Sequence, residues 1–368
     1  MQIRYGAGLF FDYFARKNGE WLTKGHDEIG LALTNEVSLH GWVYHYGMLN
    51  VKDVKHLSDD QKQKIISSLD GWCVQIPWGS LLYRFPFSVK KEFTRYLLQV
   101  MIEKDIVTKM YDNPFWYLDG KKGPDDEEGD RTFGPRLKYL LDRFVDGMCA
   151  FQPCSHWRLS DPPAARPSAS SRYFGGQIAD FNPLHASGWN VADPSDASLW
   201  RSDTSRMANG VQPCQARSLV LGKYHVERRE RQVKQWAADF IASEPACWLL
   251  RPDKRNPDED RLQSLIDIYR WASEKWATIS SLRGNFEFHR LPDVGKNFNK
   301  ESGLVKRVDG WVPACGDESA EGMPILMVVS VGIRRQWSDP DQGDQWAACA
   351  KASVLAQERT MSDMTRIS

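Results

Sequence analysis

Residues 323–333 read Met323-Pro324-Ile325-Leu326-Met327-Val328-Val329-Ser330-Val331-Gly332-Ile333. This is the longest apolar run in the chain, and it falls well short of the roughly 20 residues a membrane-spanning helix needs. Its β-branched residues favour a strand over a helix. It does not alternate apolar with polar, so Ile325–Ile333 is expected to be covered on both faces, at the centre of a sheet. Two further strand patterns precede it, Asn285–Arg290 and Leu304–Val312.

Working outward, strong helical patterns stand before these strands. Leu262, Leu265, Ile266, Tyr269, Ala272, Trp276 and Ile279 recur at i, i+3, i+4 spacing after Pro257 and Asp258. Upstream, 223–242 places Val226, Val233, Trp236, Phe240 and Ile241 on one face, with Arg228, Arg229, Arg231 and Lys234 on the other. Past Pro340, the spacing of Ala347, Ala350 and Val354 predicts a last helix. Helices and strands that segregate along the chain point to an α+β fold.

The N-terminal portion, residues 1–151, reads as mixed α/β. Val37, Leu39 and Val43 alternate with Ser38, His40 and Trp42, which predicts a strand over 36–46. Ser58 and Gln61 form a capping-box pattern before Ile65, Ile66 and Leu69, so 59–69 is expected to be helical. Leu81, Tyr83 and Phe85 alternate as a short strand. A helix then follows from Ser88, with Phe93, Leu97, Val100 and Met101 on one face. Residues 119–130 make an acidic, Gly/Pro-containing loop, and Pro135 opens an amphipathic helix through Leu137, Leu140, Leu141, Phe144, Val145 and Met148.

Composition shifts near residue 152. Residues 152–218 are rich in Ser, Pro, Ala and Gly, yet carry Trp157, Tyr173, Phe174, Phe181, Trp189 and Trp200. Rings of that size bury against something, so this is expected to be an irregular insertion partly packed on its neighbours. Residues 219–368 then supply a helical pair and a small sheet.

The 368 residues carry 48 Lys+Arg and 48 Asp+Glu, a formal net charge of zero. A protein that coats nucleic acid over its whole surface is usually strongly basic, so that class is excluded. Seven cysteines, an odd and scattered count, do not form a secreted disulfide framework. The first residues lack a basic segment followed by an apolar core. Together these features lead us to expect a cytoplasmic protein with free thiols. The phosphate loop Gly-x4-Gly-Lys-Ser/Thr, the dinucleotide Gly-x-Gly-x2-Gly, the Gly-x-Ser-x-Gly elbow and His-Glu-x2-His are all missing. No cofactor is expected.

Charge is unevenly placed. From His156 to Gln235 there are eleven Arg/Lys against seven Asp/Glu, and nine of the eleven are Arg. Guanidinium groups fork onto phosphate and flat rings stack on unpaired bases. The candidate nucleic-acid contacts are Arg172, Tyr173, Arg228, Arg229, Arg231 and Lys234. The competing reading is a solvated helix face on which Glu227 and Glu230 pair with Arg231 and Lys234.

Three other constellations stand beside it. Arg283 and His289 are separated by five residues, a spacing a metal-independent ribonuclease could use, with Arg on phosphate and His shuttling the proton. Gly284 breaks the helix between them. Cys149, Cys154, His156 and Cys214 are the candidate zinc ligands, but none forms the tight Cys-x2-Cys pair zinc usually takes, so no metal is expected. Asp119-Gly120-Lys121 resembles the Asp-x-Lys end of a nuclease metal site without an acidic partner upstream. The leading expectation is a nucleic-acid-associated component of a larger complex, with an unpaired strand and other protein subunits as partners and no membrane. The alternatives are a protein–protein scaffold and the Arg/His ribonuclease.

Overall fold

The computed structural model describes residues 36–48, 51–121, 129–145, 194–209, 218–252, 258–282, 284–308, 320–339 and 343–357. The architecture is α+β. Helices occupy the described residues up to 280, and both sheets come from residues after 284. The helices are α1 Glu36–Tyr46, α2 Asp59–Ser68, α3 Trp78–Arg84, α4 Phe87–Ile106, α5 Phe133–Val145, α6 Pro194–Ala208, α7 Ser218–Ala242, α8 Glu244–Cys247 and α9 Asp258–Ser280. The strands are β1 Asn285–His289, β2 Val305–Arg307, β3 Ile325–Ser330, β4 Gly332–Asp339, β5 Gly343–Ala350 and β6 Ala352–Ala356.

The apolar run 323–333 serves two sheets. β3 belongs to a sheet of order β2-β6-β3, and β4 to a sheet of order β1-β4-β5. Every residue of β3 is buried, as the unbroken apolar pattern predicts. Its position differs from the expectation, because the central strand is β6, parallel to β2 and antiparallel to β3. The outer edge of β3 is covered instead by residues 72–74. Val74 N–H donates to Leu326 O at 2.9 Å, and Val328 N–H to Trp72 O at 2.8 Å. Covering an edge in this way satisfies its backbone groups without another strand. At Gly332 the chain passes between the sheets; a Cβ there would lie 3.0 Å from Ala352 N.

Three further expectations are corrected. Residues 36–46 are the helix α1, because Leu39, Trp42 and Val43 also fit i, i+3, i+4 and all three are buried. Trp42, which the alternation had placed outside, donates from Nε1 to Arg261 O at 3.1 Å. Residues 81–85 belong to α3 and its end, where Leu81 is buried and Tyr83 exposed. The helix expected past Pro340 is β5 and β6. β5 turns back on β4, and β6 is wholly buried between two strands, so sheet burial overrides the alanine spacing.

Other local signals appear as expected. Ser58 Oγ accepts from Gln61 N–H at 3.1 Å, and Gln61 Oε1 accepts from Ser58 N–H at 2.9 Å, closing the capping box of α2. α9 follows its predicted stripe, with Leu265, Tyr269, Ala272 and Trp276 buried. α4 continues into a π turn at Val107–Tyr111, marked by Asp112 N–H donating to Val107 O at 2.9 Å. The wider turn seats Tyr111 between Trp276 and Phe288, with ring centroids 5.2 and 5.5 Å away. It also delivers residues 113–121 to α7, and this places the cleft described next.

Candidate functional site

α7 presents two stripes. Tyr224, Arg228 and Arg231, at i, i+4 and i+7, face an open cleft of about 630 Å³. His225, Arg229, Val233, Ala237 and Phe240 are buried on another stripe. Val226, which its apolar side chain had placed inside, is exposed, while Arg229 is only 8% exposed. Arg229 is stable there because its guanidinium lies 4.9 Å from the Tyr117 ring centroid and donates to Asn209 Oδ1.

The opposite wall comes from the segment after the π turn, with Trp116, Asp119 and Lys121, and from Gly129 and Arg131 before α5. Asp119 organises the floor. It is 2% exposed and takes the Tyr224 hydroxyl at 2.5 Å, the Lys121 N–H at 3.2 Å and Arg228 Nη1 at 3.1 Å. Arg228 Nε also donates to Tyr117 O at 2.8 Å. Burial and the adjoining carboxylate hold the Tyr224 phenol above its usual pKa. A Cβ at Gly129 would lie 2.9 Å from Lys121 Cε and 3.0 Å from Asp119 Oδ2, so the glycine keeps the floor open.

Among the described residues four cations line the cleft, Lys121, Arg131, Arg228 and Arg231, against the single carboxylate of Asp119. Arg228 neutralises that carboxylate. Arg131 and Arg231 have no ion-pair partner among the described residues. Two buried polar atoms of the lining, Trp116 Nε1 and Gln232 Oε1, also lack a hydrogen-bond partner among the described residues. Trp116 is braced by Trp236, with centroids 4.7 Å apart. Behind the floor, His225 packs edge-on against Tyr224 and Tyr117. Burial pushes its pKa down to about 4, so it is a neutral imidazole at pH 7.

The sequence candidates are scattered. Arg228 and Arg231 meet in the cleft. Arg229 packs inward, and Lys234 is exposed on α7 outside the lining. Glu230 pairs with Arg270 of α9 at 2.9 Å, where an intrahelical pair with Lys234 was the competing expectation. Arg172, Tyr173, Arg283, Cys149, Cys154, His156 and Cys214 lie outside the described residues. His289 is a β1 residue, 9% exposed, with Nε2 3.6 Å from Glu287 Oε2; burial lowers its pKa. Among the described residues no group of three or more His, Cys, Asp and Glu is arranged to hold a metal ion. The carboxylate of Asp119, a candidate metal ligand by sequence, is engaged by Tyr224 and Arg228. Lys121, Arg131 and Tyr224 were not singled out as anion contacts. Their only sequence signals were the ends of an acidic loop and a tyrosine four residues before Arg228. No helix among the described residues is long and apolar enough to cross a membrane. Compared with known proteins, the chain matches no family model, no curated protein and no solved structure.

Proposed function

We propose that this protein associates with nucleic acid, with an unpaired strand as the preferred form, through the cleft between α7 and residues 113–121 and 129–131. The observation that carries this reading is the pair of guanidinium groups, Arg131 and Arg231, that line one cleft without a counter-ion among the described residues. Guanidinium binds phosphate through paired N–H donors, and such a pair suits a phosphodiester better than a single isolated anion. The buried Trp116 Nε1–H, without a hydrogen-bond partner among the described residues, adds a donor beside the cations. Neutral net charge is compatible with this reading, because a local concentration of cations does not require a net charge on the whole chain.

The test is binding of a fluorescein-labelled single-stranded RNA or DNA of about 20 nucleotides, read by anisotropy from about 50 to about 200 mM salt. Affinity is expected to fall steeply with salt, with a log–log slope of roughly −0.7 for each phosphate neutralised on a single strand. Arg231→Glu should weaken binding and flatten that slope. Absent binding, or binding indifferent to salt, would overturn the reading. Co-purification with a protein partner and no nucleic acid would favour a scaffold in its place.

A further inference from the structure

A second surface lies at the other end of α4, about 30 Å away along its 20 residues at 1.5 Å each. Here Pro86 forms the corner between α3 and α4, and two rings project from it. Tyr83 is 82% exposed and Phe87 73%. Each has a cation over one face. Lys90 Nζ lies 5.4 Å from the Tyr83 centroid, and Lys91 Nζ 4.6 Å from that of Phe87. Two turns along α4 from Phe87, Arg95 lies 4.2 Å over Tyr44 of α1, itself 47% exposed. The arrangement of ring plus cation therefore recurs three times along this edge.

The surroundings select the partner. From Gly71 to Ile102 the chain carries Arg84, Lys90, Lys91 and Arg95, and its only carboxylate is Glu92, which pairs with Arg95. This segment is therefore suited to an anionic partner. The large apolar side chains exposed here are all rings, Tyr44, Tyr83 and Phe87. A surface that enters a lipid interface buries a continuous apolar face beneath its cations. Here the cations lie over the rings themselves, leaving a flat face beside a positive charge. That geometry fits a base next to its phosphate.

We infer that the α3–α4 corner is a stacking surface for unpaired bases, with Tyr83 and Phe87 as platforms and Lys90 and Lys91 on the flanking phosphates. This rests on the nucleic-acid reading above and adds a base-dependent contact to the phosphate-dependent cleft.

The test compares the full chain with a Tyr83→Ala/Phe87→Ala variant on two labelled probes of about 20 nucleotides. One is oligothymidylate, and the other is an abasic strand with the same number of phosphates. The unsubstituted protein should bind the base-bearing probe about tenfold more tightly or better, and the variant should lose that advantage while keeping its affinity for the abasic strand. Tyr83→Phe/Phe87→Tyr should retain it, which separates stacking from a folding defect. Arg231→Glu should weaken both probes alike. If the variant keeps the base preference, or if none exists, this inference falls and the cleft reading stands. If neither probe binds, both fall. Equal binding of the two probes, together with variant-sensitive binding to phosphatidylserine vesicles, would assign the corner to a membrane and overturn the inference.

Discussion

Arg228 reaches across the cleft floor to Asp119, with Nη1 3.1 Å from Oδ2, on an oxygen that also accepts from the Tyr224 hydroxyl at 2.5 Å. The carboxylate is buried, while the Arg228 side chain keeps 21% of its exposure. Removing either charge leaves the other without its partner. Asp119→Ala and Arg228→Ala should each cost about 3 kcal/mol in urea or guanidinium unfolding. Tyr224→Phe removes one hydrogen bond to a charged acceptor and should cost about 2 kcal/mol. A stability for Asp119→Ala within about 0.5 kcal/mol of the unsubstituted protein would show that the floor is not organised by this carboxylate.

Arg229 and Arg231 stand two residues apart and should behave in opposite ways. Arg229 is buried against Tyr117 and Asn209, so Arg229→Ala should lower stability by about 2 kcal/mol. Arg231 faces the cleft and is exposed, so Arg231→Ala should change stability by less than about 0.5 kcal/mol while reducing the magnitude of the salt slope of oligonucleotide binding. The check is unfolding and anisotropy on both variants. A large stability loss at Arg231 would reverse the assignment.

His225 makes stability depend on pH in a defined window. Its folded pKa is about 4, against an ordinary value of 6.5. The folded state therefore resists protonation that the unfolded chain accepts. Stability is fully present above about pH 6.5 and is lost as pH falls toward about 4, by on the order of 3 kcal/mol in total. Carboxylates titrate in the same direction, so the measurement is a difference. His225→Gln should flatten the pH dependence between about 6.5 and 4.5 relative to the unsubstituted protein. Parallel curves would refute the buried neutral imidazole.

Gly284 sits at φ +94°. A Cβ there would lie 2.5 Å from Gln336 O and 2.9 Å from Arg335 Nε. Arg201 of α6 donates to both Leu282 O and Gly284 O at 2.6 Å, clamping the turn that leads into β1. Gly284→Ala should cost about 2 kcal/mol or more through the left-handed backbone and the clash with β4. Thermal melting of the variant checks this, and an unchanged midpoint would show that the turn relaxes freely.

Much of the fold was legible where local signals agreed. The capping box at Ser58 and Gln61, the stripe of α9 and the apolar run at 325–330 all appear as read. The misreadings fall where one pattern fits two periods. Leu39, Trp42 and Val43 serve a strand or a helix equally well, and 347–354 looks helical until β4 and β6 are placed. Of the cleft, Arg228 and Arg231 were visible as charge. Lys121 and Arg131 were not, because more than 90 positions separate them from Arg228 and no local spacing encodes that approach.

The sequence by itself determined that helices and strands segregate into an α+β chain, that one apolar run must be buried, and that positive charge concentrates after residue 156. These follow from composition and from side-chain period, which are local properties. The tertiary structure decided which face of α7 is inside, that Arg229 is packed while Arg231 is open, and that Asp119 closes the floor beneath Tyr224. Those choices depend on which ring or carboxylate from a distant segment is there to receive a charge. Burying an arginine is costly unless a partner meets it, and only the folded chain brings Tyr117 and Asn209 to Arg229.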